Sequence, residues 1–537
     1  MKLAFALQRR LIGVPNQFIK KSYMPIPIVD LFAGPGGLGE GFSSCLDSRG
    51  KRRYEIALSI EKDEVAHRTL QLRAFFRQFD RADVPDLYYR YIRGETSKQA
   101  LFAKYKDAAK RAALEAWHAE LGNPEYPNSL VDETITNALA GNKSHWVLIG
   151  GPPCQAYSLV GRARIIGEKG RVKYEADHRH FLYREYLRII AAHGPAVFVM
   201  ENVKGLLSAS VNNARIFEKI VEDLQAPSAA IYGARSSKKP NLHYTLFPII
   251  RTQANLLGKY EPEDFIVRCE ERGMPQARHR VIIVGVRSDI GGTLQGIGLT
   301  GQASLEQAID DLPAVRSGLS KESDDYKHWL NAVRAIKSTK WWNRPNDTRD
   351  VRDRIEESLM RIGSDLTRGA EFIKYKSAVP KFRADWYVDK RIQGVCNHST
   401  RGHIREDLHR YLFASAFAEV RARSPKLQDF PPELLPNHQN VEEALKSGKF
   451  NDRFRVQLST RPATTITSHI SKDGHYFIHY RPDQCRSLTV REAARVQTFP
   501  DNYFFEGART DQYRQVGNAV PPLLAREIAA SVAKLIG

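Results

Sequence analysis

From residue 26 to about residue 289, short β-rich apolar runs alternate with helical stretches. Strands joined through helices pair in parallel, and parallel strands covered on both faces read as short, nearly unbroken apolar runs. Candidate strands lie at 26–32, 54–60, 146–149, 196–200, 265–269 and 281–286. The expected class is therefore α/β with a parallel sheet. Between the second and third strands, the charged segment 71–142 reads as helical and surface-laid, with 100–121 as an example. Past Gly291-Gly292 the alternation stops. Residues 293–460 instead cluster basic and aromatic side chains, as in Lys340-Trp341-Trp342-Asn343-Arg344 and in Arg401, His403, Arg405, His409 and Arg410. This reads as a second, basic domain, and order returns near Arg461.

Charge narrows the partners. The 537-residue chain carries 81 Lys and Arg against 61 Asp and Glu, a formal net charge of +20. Such an excess favours a polyanion, with nucleic acid the first candidate, and binding through phosphates would weaken with salt. The five cysteines (Cys45, Cys154, Cys269, Cys396, Cys485) are odd in number and widely spaced, without a CxxC pair. They suggest neither a disulfide framework nor a zinc ribbon, and no metal is expected. The set Cys396, His398, His403 and His409 fits no standard zinc spacing, so phosphate contacts or helix packing are expected of it. Trp341 and Trp342 are expected in the core of the basic domain. No apolar run approaches membrane-spanning length, and Gln8-Arg9-Arg10 interrupts the N-terminal Leu3-Ala4-Phe5-Ala6-Leu7 too early for a secretory signal. A soluble cytoplasmic protein is expected.

Five segments can carry chemistry. Val29-Asp30-Leu31-Phe32-Ala33-Gly34-Pro35-Gly36-Gly37-Leu38 ends a β-run in a glycine-rich turn, either an ordinary strand-to-helix turn or a place where a ligand meets backbone. About thirty residues on, Glu61 closes the next strand, either as a solvated helix-start carboxylate or as an acceptor for ribose hydroxyls. In Gly150-Gly151-Pro152-Pro153-Cys154-Gln155 a lone thiol follows the apolar run Trp146-Val147-Leu148-Ile149 on a stiffened turn. In Phe198-Val199-Met200-Glu201-Asn202-Val203 a buried strand leads into a carboxylate, where burial favours sharing of a proton. Finally, Gln276-Ala277-Arg278-His279-Arg280 precedes the apolar run from Val281 to Val286. Its arginines share one side if the strand begins there, and they could hold a phosphate or a base oxygen.

Taken in order, these segments resemble the DNA cytosine-5 methyltransferases of bacterial restriction-modification systems. The likeness extends to Arg461-Pro462-Ala463-Thr464-Thr465-Ile466, Leu488-Thr489-Val490-Arg491-Glu492-Ala493-Ala494-Arg495 and Gly517-Asn518-Ala519-Val520-Pro521-Pro522, and it covers about 26–290 and 455–537. The resemblance implies a doubly wound, Rossmann-like methyltransferase domain dependent on S-adenosylmethionine, at 25–290 and completed by 515–537. It also implies a smaller mixed target-recognition domain at 291–490 and a hinge at 491–514. Cys154 would attack C6 of a flipped-out cytosine, so that C5 takes the methyl group. Glu201, in the ENV motif with Asn202, would contact N3 and the exocyclic amine. Arg280 would stand near the base, with Arg278 as support. Phe32, Gly34, Gly36, Leu38, Glu61, Pro153, Leu182, Asn518 and Val520 match cofactor-contacting positions. Thr464 and Thr465 match the block that orients the recognition domain, and the helix from Pro522 would return to the first domain.

The partners so implied are double-stranded DNA and a cognate restriction endonuclease, unless the enzyme is a solitary modifier; the chain is expected to act as a monomer. The usual Gly-Asp-Ile contact to the adenine is not evident before Cys154. Asp132 lies at a plausible distance but lacks the glycine. A tRNA-methylating relative is the first alternative, but the Cys-Phe-Thr motif of that branch does not occur. An inactive DNA-binding homologue is the second, but both the cysteine and the ENV glutamate are present.

Overall fold

Period-two alternation along the central strands sends side chains to two separate cores. In the computed structural model β1 is Ile26–Leu31, β2 Tyr54–Glu61, β3 Ala116–His118, β4 Val147–Gly150 and β5 Val197–Val203. The model describes residues 25–142, 145–153, 179–208, 210–211, 214–233, 242–251, 253–255, 258–344, 348–376, 379–437, 439–448 and 451–536. Val29, Leu31, Leu58, Ile60, Leu148, Phe198 and Met200 face one core, while Ile28, Ile56, Val147, Ile149, Val197 and Val199 face the other. The second core is covered by α1 (Gly37–Ser43) and the C-terminal helix Pro522–Ile536. The first is covered by helices at Asn128–Ala138, Arg179–His193 and Ile216–Gln225. Helices on both faces make the fold doubly wound.

The sheet is only partly parallel. With β6 (Tyr244–Pro248), β7 (Ile266–Arg268) and β8 (His279–Arg287), the order is β3-β2-β1-β4-β5-β8-β6, and β7 pairs off β8. The first five strands pair in parallel, whereas β8 runs antiparallel to β5, β6 and β7. This pairing extends β5 past Met200, so Glu201 lies opposite Ile282 inside the ladder.

The segment after β2 departs from the expected helix at 100–121. After α2 (Glu64–Arg77) and α3 (Asp86–Ile92), α4 covers Lys98–Lys104 and α5 Lys106–Glu115. Between α4 and α5 the chain breaks at Tyr105, which has φ −120° and ψ 59°. Residues 116–118 then extend as β3, placing His118 opposite Glu61. The end of α5 is pinned by a buried ion pair, with Arg77 Nε donating to Glu115 Oε1 at 3.1 Å. This segment also reaches the rest of the molecule. Tyr89 donates to Asp389 at 2.8 Å, Tyr88 to the Asn502 carbonyl at 3.1 Å, and the Cys396 thiol to the Ile92 carbonyl at 3.4 Å.

Beyond β8, a second body gathers one core from Leu305 to Ala519, with helices at Tyr326–Arg334, Arg349–Met360 and Arg405–Arg421. Trp341 is buried there, in edge contact with Trp342 and Phe413. Residues 491–514, the expected hinge, carry parts of two helices, Val490–Val496 and Arg509–Asn518, and every residue of the first is buried. Its buried charges are matched: Glu492 pairs with Arg486, Arg495 with Asp311 and Asp501, and Arg491 donates to the Cys396, Pro500 and Tyr503 carbonyls. His398 and His409 have partners within the fold, the Thr489 hydroxyl and Pro313 carbonyl for the first and the Ala332 carbonyl for the second. Among the described residues no helix is long and apolar enough to cross a membrane.

Candidate active site

The site opens at the carboxyl ends of β1, β2, β4 and β5, where strand ends leave backbone and side chains facing a crevice. A cavity of about 520 Å³ lies there, and Phe32, Gly34, Leu38, Glu61, Pro153, Leu182, Glu201, Asn202, Asn518 and Val520 all contribute to its wall. Eight residues assigned to the cofactor from sequence, among them Pro153, the residue before Cys154, thus meet the ENV residues in one cleft. Cys154 itself lies outside the described residues. Gly36 does not line the cleft. Its φ of +96° falls in the left-handed region, and a Cβ there would stand 2.8 Å from Leu70 Cδ1 and 2.9 Å from Tyr503 Oη. Phe32 also has a positive φ, 56°, a sparsely populated conformation for an aromatic residue at the mouth of the site.

Glu61 organises the loop opposite it. Its Oε2 accepts the Gly34 N–H at 2.8 Å and its Oε1 the Asp63 N–H at 2.7 Å. Burial nevertheless raises its pKa, the desolvation of the charged form outweighing both hydrogen bonds. Each oxygen keeps a further lone pair for a hydroxyl.

The adenine contact sought at Asp132 is not there. Asp132 lies on the helix Asn128–Ala138, where its Oδ1 is 2.8 Å from Arg188 Nη1 and 2.9 Å from His193 Nε2, and it does not line the cleft. Glu120 and Leu121 do, directly after β3. Glu120 Oε1 accepts from Lys62 Nζ at 2.9 Å. Sequence reasoning missed both because they were assigned to a continuous helix; an alternating Ala116-Trp117-His118 was the only available signal.

At the other end of the cleft, Arg280 Nε stands 2.7 Å from Glu201 Oε1. Gly151 allows this packing, since a Cβ there would sit 2.9 Å from Glu201 Oε2. Asn202 Nδ2 donates to the Pro152 carbonyl at 3.1 Å, tying the Pro152-Pro153 turn to β5. Arg278 does different work from Arg280. Because β8 begins at His279, Arg278 lies just before it, fully buried, donating to the carbonyls of Ile466 at 2.7 Å and Ala519 at 2.9 Å. Burial, reinforced by the Arg280 cation, lowers its pKa to about 9. Thr465 Oγ1 donates to the Ala277 carbonyl at 2.6 Å, and Ala463–Thr464 pairs in parallel with Gln276–Ala277.

A doubly wound α/β body with its cleft at the strand ends and an acid on the second strand defines the class; comparison with known proteins narrows it. Residues 115–227 and 238–534 match the family model of the C-5 cytosine-specific DNA methylases, and the chain belongs to that family. It is a DNA (cytosine-5-)-methyltransferase. The type II methyltransferase M.Bpa9945I of Bacillus paralicheniformis is 32% identical over 524 residues, 95% of this chain and 99% of its own. M.DdeI of Desulfomicrobium norvegicum, also named a type II methyltransferase, is 25% identical over 94% of this chain and 88% of its own. The DNA (cytosine-5-)-methyltransferase M.ApeKI of Aeropyrum pernix is 26% identical over 73% and 81%.

Proposed function

We propose that this chain methylates C5 of a cytosine flipped out of duplex DNA, using S-adenosylmethionine and a transient bond between Cys154 and C6. The observation that carries the reading is convergence: Pro153, Glu201 and the Glu61 end of the cleft border one cavity. The residues fit the cofactor. Glu61 offers acceptors to ribose hydroxyls, Phe32, Leu38, Leu121 and Val520 offer apolar surface to an adenine, and Glu120 offers an acceptor to its amine. S-adenosylmethionine supplies an electrophilic methyl group on a sulfonium.

The protein's part is to make C5 nucleophilic. The Cys154 thiolate adds to C6, which moves electron density toward C5. Glu201 accepts from the exocyclic amine and shares a proton with N3, which offsets the negative charge that builds on the ring, with Arg280 beside its carboxyl. Asn202 positions the turn that delivers Cys154. Loss of the C5 proton and departure of the thiolate restore the ring. Extruding the base costs about a few kcal/mol of stacking, which contacts to the flipped base offset. The basic body at 291–490 serves as the target-recognition domain, and 491–514 links it to the catalytic body of 25–290 and 515–537. Relatives named type II methyltransferases support a role beside a restriction endonuclease of the same specificity, and a monomer working in the cytoplasm suffices for it.

The test is base-resolution mapping of 5-methylcytosine in DNA from a methylation-free bacterium expressing the chain, beside Cys154→Ala. Methylation at one short motif, absent in the variant, is expected. Unmethylated DNA from soluble wild-type protein would sink the reading.

A further inference from the structure

Beside the first cleft lies a second cavity of about 730 Å³, and Val203 and Gly205 line both. One wall carries Lys204, His279 and Arg280; the other carries Arg455, His469 and Tyr476 from the second body. Among the described residues, none of those lining it is acidic. A cationic crevice between two bodies, next to the Glu201–Arg280 pair, is where a duplex offering its cytosine would meet the protein.

Among the described residues, Arg455 brings the one guanidinium that the second body contributes to this lining. Its backbone is fixed at both ends: the Arg455 N–H donates to the His475 carbonyl at 2.9 Å, and the Ile478 N–H donates to the Arg455 carbonyl at 3.0 Å. The side chain is fixed too. Nη2 pairs with the Asp452 carboxylate, and the guanidinium carbon lies 6.0 Å from the centre of the Tyr476 ring. At 35% exposure the side chain still reaches solvent. An arginine held along one edge keeps its remaining N–H donors as a preorganised fork.

The Asp452 carboxylate decides what that fork suits. Close to a DNA phosphate it would add repulsion and weaken the contact. The N7 and O6 edge of guanine is uncharged and accepts two parallel N–H groups in the major groove. We infer that Arg455, oriented by Asp452 and Tyr476, reads one guanine of the recognition sequence. The inference rests on the function proposed above and goes further by assigning a specificity residue.

Wild type, Arg455→Ala, Arg455→Lys and Asp452→Asn are expressed in a methylation-free bacterium, their methylated sites mapped, and the purified proteins assayed on duplexes substituted at each motif position. Arg455→Ala and Arg455→Lys should each lose about tenfold or more of the discrimination at one guanine and keep it elsewhere. Asp452→Asn should weaken discrimination at that same position. A phosphate contact gives another pattern, and it overturns the inference: Arg455→Lys keeps the full motif, and Arg455→Ala slows all sequences alike with a shallower salt dependence. Folded variants with unchanged motif and rate overturn it as well. If Arg455→Ala fails to fold, Arg455→Lys decides. A wild type that methylates nothing counts against the proposed function instead.

Discussion

Glu120 is one acidic side chain whose role depends on a three-residue strand. It lines the cleft two residues after β3, close to Lys62 and on the far side of the cavity from Glu201. If it accepts from the cofactor's amine, Glu120→Ala should raise the KM for S-adenosylmethionine roughly three- to tenfold, the worth of one hydrogen bond, with kcat little changed. Steady-state kinetics at varied cofactor and saturating DNA checks this, and an unchanged KM removes Glu120 from the site. At this scale the sequence was legible where short motifs fix local geometry. Gly34, Glu61, Glu201 and Asn518 lie where the motifs suggested. It was illegible where a role depends on what stands opposite: alternation alone put Arg278 and Arg280 on one side, and only the family resemblance separated Arg278, stitched to Ile466 and Ala519, from Arg280, paired with Glu201. Gly36, matched to a cofactor contact by its motif, packs closely against Leu70 and Tyr503, both remote in sequence.

Two elements meet tightly where α1 crosses the C-terminal helix Pro522–Ile536. A Cβ on Gly41 would sit 2.3 Å from Ala525 Cβ and 2.4 Å from the Pro522 carbonyl, and one on Gly37 would sit 2.3 Å from the Val520 carbonyl. Gly41→Val should therefore push the helices apart and destabilise the protein by about 1–3 kcal/mol, the usual range for overpacking. A shift in the urea midpoint reads this, and no shift would mean the crossing is looser than its spacing indicates. The parallel half of the sheet was visible in sequence because strands buried on both faces leave unbroken apolar runs. The edges were not. The last strand on each side, β3 and β6, was not foreseen, since short edge strands carry little periodicity. The Ala-rich stretch running into β3 favours helix by propensity until pairing with β2 overrides it.

Across the whole molecule, buried titratable groups set opposing pH limits on stability. His398, His403, His409, His475 and His479 all have pKa values lowered by burial, His398 to about 4. Each binds its proton more readily when unfolded. The stability it contributes is complete above about pH 6.5 and is lost as the pH falls toward the folded value, by up to about 1.4 kcal/mol per pH unit per group. Asp30 works in the other direction. Burial drives its carboxyl up to about 8, with the neighbouring Glu61 adding to the rise and Arg77 opposing it. The folded state therefore holds this proton longer than the unfolded chain, and stability declines as the pH rises from about 4 to 8. Below pH 6.5 the histidines outweigh Asp30 and the other carboxyls that burial raises, Glu61, Glu115 and Glu527, and above it those carboxyls act without the histidines' opposition. Thermal unfolding midpoints measured from pH 5 to 8.5 should peak near pH 6.5, with the steeper fall on the acid side. Asp30→Asn separates the two causes. It should reduce the decline between pH 6.5 and 8 and steepen the acid limb, where Asp30 opposes the histidines, whereas an alkaline decline undiminished in the variant would show that Asp30 is not a source of it.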